Sequence, residues 1–273
     1  MSKQNNINFH KSFKPESQYI SSILEIADGN SWRSLDEISE ITGIPNGEKS
    51  GKVEPHIYYS EYMNLIVCEK KKKQYRLNLT EIGKTVLTED PGLQEILTKN
   101  LLHAMIIRVE EGALIWSTTF HDILPRYREG IEKERLILEL NNILQGKVTT
   151  KNLRPFVASY EELFSDICLL SIDKNLIKCN SLCYSSEYIY MYALVLWVYW
   201  NEFYPEQDEI SSVQFAELGF GKAFGWDLKA EYEVMEHLAD RGLIRMNRQL
   251  MPYTILKLVT EDELINNLYS ELC

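Results

Sequence analysis

Residues Leu65 to Leu87 read LIVCEKKKKQYRLNLTEIGKTVL, and the order of their parts decides the fold. Two short β-like segments, LIVCE and QYRLN, flank four consecutive lysines, Lys70 to Lys73. Thr80 then stands where it can cap a helix, TEIGKTVLT, which must end before Asp90-Pro91-Gly92. Strand, charged tip, strand and helix in that order form the back half of a winged helix. The front half lies upstream. YISSILEIA puts Tyr19, Ile20, Ile23, Leu24 and Ala27 on one helical face, and Asp28-Gly29 ends it. Ser34, with Glu37 three residues on, has the spacing of a capping box for LDEISEITGI, which stops at Gly43. After the turn PNGEKSG a third helix is expected from about Lys52 to Met63. Pro55 is tolerable only near a helix start, so this one begins at Val53 or Glu54.

Composition supports a folded chain with a local binding face. The 273 residues are 45% hydrophobic and 11% aromatic, ample for a buried core. The net charge is −11, which argues against sequence-blind coating of nucleic acid and confines any such contact to a patch. Between Lys49 and Arg76 seven cations face three carboxylates, a local +4, which leaves −15 for the remainder. The N-terminus is polar, without the apolar stretch and cleavage site of a signal peptide. The most apolar run, IYMYALVLWVYW (Ile189 to Trp200), is too short to span a bilayer and reads as a core helix. A cytoplasmic location is expected, with five free cysteines in a reducing compartment.

The pattern downstream is mainly helical. Gln94 to about Gln145 and the pair of helices in Lys147 to Phe164 are expected as helices. Ser171 to Ser185 reads as β or loop, and Glu187 to Tyr204 as an aromatic helix. The last segment repeats the opening order: a glycine-rich turn, an amphipathic helix, then strands LIRMN and YTILKL around Arg248 and Gln249. No repeat of fixed period is apparent. The expected fold is mainly α with small β wings. It comprises an N-terminal winged helix-turn-helix (1–92), a helical middle (93–205) and a C-terminal winged-helix-like module (206–273).

With FHKSF (Phe9 to Phe13), LNLTEIGKTVL, EDPGLQEILTKNLLHAMI, ALIWSTTF and LGFGKAFGWDLKAEYEVMEHLADRGLIRM in this order, the chain resembles the uncharacterised prokaryotic family catalogued as domain of unknown function 4007. That resemblance covers most of the chain. It implies a winged-helix DNA-binding protein associated with DNA phosphorothioation and anti-phage defence loci. It supplies no catalytic residues. The third helix, GKVEPHIYYSEYMNL, is richer in tyrosine than the family pattern.

GFGKAFGWD lacks the Gly-Lys-Ser/Thr ending of a phosphate loop. No nucleophile elbow, zincin motif or paired-cysteine zinc spacing occurs. Glu110-Glu111 and Glu161-Glu162 read as solvated faces, and His103 and His121 have no positioned partner in sequence. No enzyme activity, cofactor or metal is expected. The expected interface is the wing with the helix beside it: Lys70, Lys71, Lys72, Lys73 and Arg76 on the hairpin, and Lys49, Ser50, Lys52, His56 and Tyr59 at the helix, with Ser60 on the same exposed face. Lysines there would hold phosphates and release counterions without reading bases. Arg245, Arg248 and Lys257 are weaker candidates in a C-terminal module expected to bind protein. The expected partner is double-stranded DNA, with a protein encoded nearby and self-association as further partners. The competing expectation is a tandem winged-helix subunit that clasps other proteins, as in a defence complex or a chromosome-maintenance-type ATPase.

Overall fold

A computed structural model of the chain describes residues 6–47, 51–249 and 251–272. One order of elements recurs three times within them, helix, short strand, helix, helix, hairpin, with an extra helix before the short strand of the second unit. The first unit holds α1 (Ser17–Glu25), β1 (Arg33–Ser34), α2 (Leu35–Thr42), α3 (Val53–Tyr62), β2 (Ile66–Lys71) and β3 (Gln74–Leu79), closed by α4 (Glu81–Glu89). The second holds α5 (Ile96–Ile106), α6 (Leu114–Thr118), β4 (Ile131–Glu132), α7 (Lys133–Leu144), α8 (Thr150–Glu161), β5 (Leu170–Asp173) and β6 (Leu176–Cys179). The third holds α9 (Ile189–Phe203), β7 (Glu209–Ser211), α10 (Ser212–Leu218), α11 (Leu228–Asp240), β8 (Ile244–Asn247) and β9 (Thr254–Lys257), closed by α12 (Glu261–Asn266). Each hairpin takes the short strand of its own unit as a third, antiparallel strand, giving the orders β1-β3-β2, β4-β6-β5 and β7-β9-β8. The chain is thus mainly helical with small three-stranded sheets. The stretch expected as a helical middle contains a sheet of its own.

Local chemistry explains the boundaries. The Ser34 side chain accepts from the Glu37 N–H while Glu37 reaches back to the Ser34 N–H at 2.6 Å, so α2 starts with both orphan donors satisfied. Gly43 ends it at φ +71°, where a side chain would be strained. Thr80 accepts from the Gly83 N–H at 2.9 Å and donates to the Asn64 carbonyl at 2.6 Å, tying α4 to the end of α3. A Cβ on Gly83 would stand 1.9 Å from the Leu65 carbonyl oxygen, so the helix can lie there only because this residue has none. The threonine and glycine of LTEIG are therefore one device: a cap and a close approach.

The core is one continuous body running through all three units. Helix α9 is apolar on every side and buried from Met191 to Trp200, as such a helix must be. Its aromatic polar atoms find carbonyls: Tyr199 donates to Ala104 at 2.7 Å, Trp197 to Val259 at 3.1 Å and Trp200 to Gln207 at 2.8 Å. His103 on α5 joins the second and third units. Its Nε2 stands 2.9 Å from the Ala223 carbonyl and so carries the proton, leaving Nδ1 to accept from the Tyr160 hydroxyl at 2.8 Å. Burial is the main reason its pKa falls to about 3. Among the described residues no helix is long and apolar enough to cross a membrane.

Candidate nucleic-acid interface

The hairpin stands where the lysine run was read. Strands β2 and β3 pair from Ile66 opposite Leu79 to Lys71 opposite Gln74, leaving Lys72 and Lys73 as a two-residue turn. Lys72 takes φ +59°, a region usually left to glycine or asparagine in such turns. All four lysines are exposed, but they are not equivalent. Lys70 folds back over the Tyr75 ring at 4.9 Å and pairs with Glu54 at 2.9 Å. Arg76 grips both carboxylate oxygens of Glu69 at 2.6 Å and lies 5.0 Å over the Trp32 ring. Lys71, Lys72 and Lys73 have no ion pair with any described residue. The free charge of the wing is therefore its tip.

Glu54 is the counter-charge that separates these roles. It accepts from Lys11 at 2.7 Å, from Lys70 and from the Tyr75 hydroxyl. Burial alone would raise its pKa; the three donors outweigh it and hold the carboxyl down at about 2. The same partnership keeps the Lys70 ammonium charged against its own desolvation, raising its pKa.

The helix beside the wing departs from expectation. His56, Tyr59 and Ser60 were read as sharing an exposed face with Lys52; all three are completely buried. The cause is the segment preceding α1, which lies across α3 as a strap. Phe9 packs against Tyr59 and Tyr62 with ring centroids 4.9 Å and 4.7 Å apart, and against Trp116 at 5.9 Å. Tyr59 donates to the Phe13 carbonyl at 2.9 Å. His56 Nε2 accepts from the Glu16 N–H at 3.1 Å, so its proton sits on Nδ1 and goes to the Lys52 carbonyl at 2.7 Å. Burial lowers the His56 pKa to about 4, leaving a neutral structural histidine. Ser60 spends its hydroxyl on the His56 carbonyl at 2.8 Å. Lys52 pairs with Glu16 at 2.8 Å and lies 5.2 Å from the Tyr19 ring centroid. Within the strap Lys11 and Ser12 sit at φ +46° and +70°, a local strain tolerated only because the surrounding contacts fix it. Lys49 and Ser50 lie outside the described residues.

Among the weaker candidates, Arg248 pairs with Glu236 and covers the Tyr232 ring at 5.4 Å. Lys257 is packed between Trp197 and Trp200 and donates to Asn201 at 2.6 Å, a structural position rather than a surface one. Arg245 is exposed. Sequence reasoning missed Glu54 as the residue that neutralises part of the wing. Its position near the start of α3, facing the hairpin, follows from the fold and has no linear signature.

No family model matches the chain, and neither does any curated protein. Two solved structures share its fold, one of a protein called SspB and one of its magnesium-ion-bound form. Each superposes with a TM-score of 0.74 over 97% of this chain and 88% of the other, at 15% and 14% identity. At that identity the likeness is one of fold. Among the described residues no group of three or more His, Cys, Asp or Glu side chains is placed to hold a metal ion.

Proposed function

We propose that this chain is a DNA-binding component of a prokaryotic defence or DNA-modification system, a member of the family it resembles, and that it acts by binding rather than by catalysis. In this reading its three units are winged helices, and the β2–β3 tip grips the phosphate backbone of double-stranded DNA. The observation that carries the reading is the trio Lys71, Lys72 and Lys73, exposed and unpaired on an acidic protein whose other wing cations are held by carboxylates. With α3 covered by the strap, the wing positions the protein on DNA without reading bases through that helix. The test is a salt titration of binding to a labelled duplex, comparing the native chain with K71A/K72A/K73A. Lys70 stays, because it belongs to Glu54. Three lost phosphate contacts lower the slope of log K against log salt by about 2.7, at about 0.9 per contact. Equal affinity and equal slope in the two proteins reject the reading.

A second reading, a scaffold that clasps a partner protein, is favoured by the third unit. Leu228 at the start of α11 is 83% exposed and Met251 in the β8–β9 loop 85%, with Tyr232 one helical turn beyond Leu228. Co-purification with the product of a neighbouring gene, together with absence of DNA binding by the chain alone, selects it.

A further inference from the structure

Helix α8 holds in the second unit the place that α3 holds in the first: the second helix after the short strand, and the last α-helix ahead of the hairpin. Their surroundings differ. Whereas α3 is roofed by the strap, α8 turns Lys151 and Arg154 to solvent, and Lys147 projects from the turn before it. None of the three has an ion pair with a described residue. Between Leu140 and Tyr160 there is no aspartate or glutamate, in a chain with 40 of them. The exposed residues interleaved with the cations are uncharged: Asn142, Ile143, Gln145, Thr149 and Thr150.

The backbone that carries these charges is pinned. Asn141 donates to the Ile137 and Val148 carbonyls at 2.9 Å and accepts from the Val148 N–H at 2.7 Å, closing the turn on itself. Thr149 and Asn152 form a capping box, with the Thr149 N–H donating to Asn152 at 2.9 Å. A groove of about 680 Å³ separates α8 from the strap, but its charges cancel. There Lys14 is paired with Glu162 and Lys52 with Glu16, while Lys133 and Arg154 share the lining with Glu134 and Glu161 without an ion pair among the described residues. The uncompensated charge stands on the outer face, at Lys147 and Lys151 with Arg154 at its edge.

We propose that the α7–α8 turn and the first turns of α8 are a second contact surface for the backbone of double-stranded DNA, through Lys147, Lys151 and Arg154. This rests on the reading of the chain as a DNA binder and moves its helix contact from α3 to α8. The occupant follows from charge: a polyanion is the partner class that gains from Lys147 and Lys151, unpaired and with no carboxylate between them in sequence, and from Arg154 at the edge of their face, which has no ion pair with a described residue although Glu161 lines the same groove.

The experiment is the same salt-titrated binding to a labelled duplex of arbitrary sequence, run on the native chain, on K147A/K151A/R154A, on the charge-retaining K147R/K151R/R154K and on K71A/K72A/K73A. The three positions are exposed, so the substitutions leave the core intact, and a thermal melt checks this. The alanine variant is expected to lose about 10-fold or more in affinity at low salt and about 2.7 from the salt slope, at about 0.9 per contact. The charge-retaining variant is expected to bind like the native chain. Native affinity and slope in the alanine variant, with loss in the wing variant, overturn this inference and leave the proposed function standing. Loss in the α8 variant without loss in the wing variant supports it and refutes the wing. Equal loss in the alanine and charge-retaining variants shows that charge is not what matters there and overturns it. No binding by the native chain overturns both.

Discussion

Replacing Phe9 by alanine tests whether the strap over α3 is part of the fold or a removable cover. Phe9 is 3% exposed, with its ring against Tyr59, Tyr62 and Trp116. Burial of a phenylalanine side chain contributes about 1.5–3 kcal/mol, and each well-oriented aromatic pair about 0.5–1.5 kcal/mol beyond that. The void left by truncation adds to the loss, so the substitution is expected to cost about 3–5 kcal/mol, in line with other buried phenylalanines. At about 2–4 °C per kcal/mol for a chain near this size, the melting temperature falls by roughly 10 °C. Circular dichroism at 222 nm and differential scanning calorimetry read this directly. A cover poised to lift would be held weakly. A loss under about 1 kcal/mol, measured against the 3–5 kcal/mol of a buried ring, would refute the claim that the strap is cemented in place. It would also reopen α3 as a DNA-facing helix.

Two further outcomes are expected. Gly83→Ala gains about 1 kcal/mol of helix propensity, but its methyl would lie 1.9 Å from the Leu65 carbonyl oxygen, and backbone cannot yield as a side chain can. The melting temperature is expected to fall, and an unchanged or higher value would show that α4 can move at no cost. For pH, four buried histidines titrate in the folded chain far below their ordinary 6.5: His10, His56 and His121 at about 4 and His103 at about 3, each lowered chiefly by burial. The unfolded chain therefore binds more protons than the folded one between pH 6.5 and about 4, and stability falls as pH falls through that window. The slope reaches about 1.4 kcal/mol per pH unit for each histidine. Denaturant melts at pH 7 and pH 5 measure it, and equal midpoints would contradict the buried, neutral assignment.

Much of the first unit is legible in sequence because its boundaries are set by local chemistry. Ser34 with Glu37, Gly43, and Thr80 with Gly83 act within a few residues of themselves, and the lysine turn is bounded by alternating strands. The third strands of the sheets escape such reading: Arg33–Ser34, Ile131–Glu132 and Glu209–Ser211 are two or three residues long, and their only signal is a partner far away in the chain. The hairpin at Leu170–Cys179 lacks strong alternation, so its sequence supports only β or loop. The covered face of α3 escapes the sequence for a physical reason. Tyrosine and histidine look like an exposed polar face until a carbonyl or N–H from a distant segment satisfies them, as Phe13 and Glu16 do for Tyr59 and His56, while Ser60 is satisfied within its own helix by the His56 carbonyl. The run without acids from Leu140 to Tyr160 stands in the sequence, but its meaning depends on which of its cations face solvent, and that follows only from the fold.

His103 has a consequence for how the molecule can be taken apart. One imidazole, dry and neutral, spends its proton on the backbone of Ala223 and its lone pair on Tyr160, so neither neighbouring unit can loosen without stranding a polar atom. Melting should be a single event, and a fragment cut between the second and third units would expose this ring rather than yield a separable module.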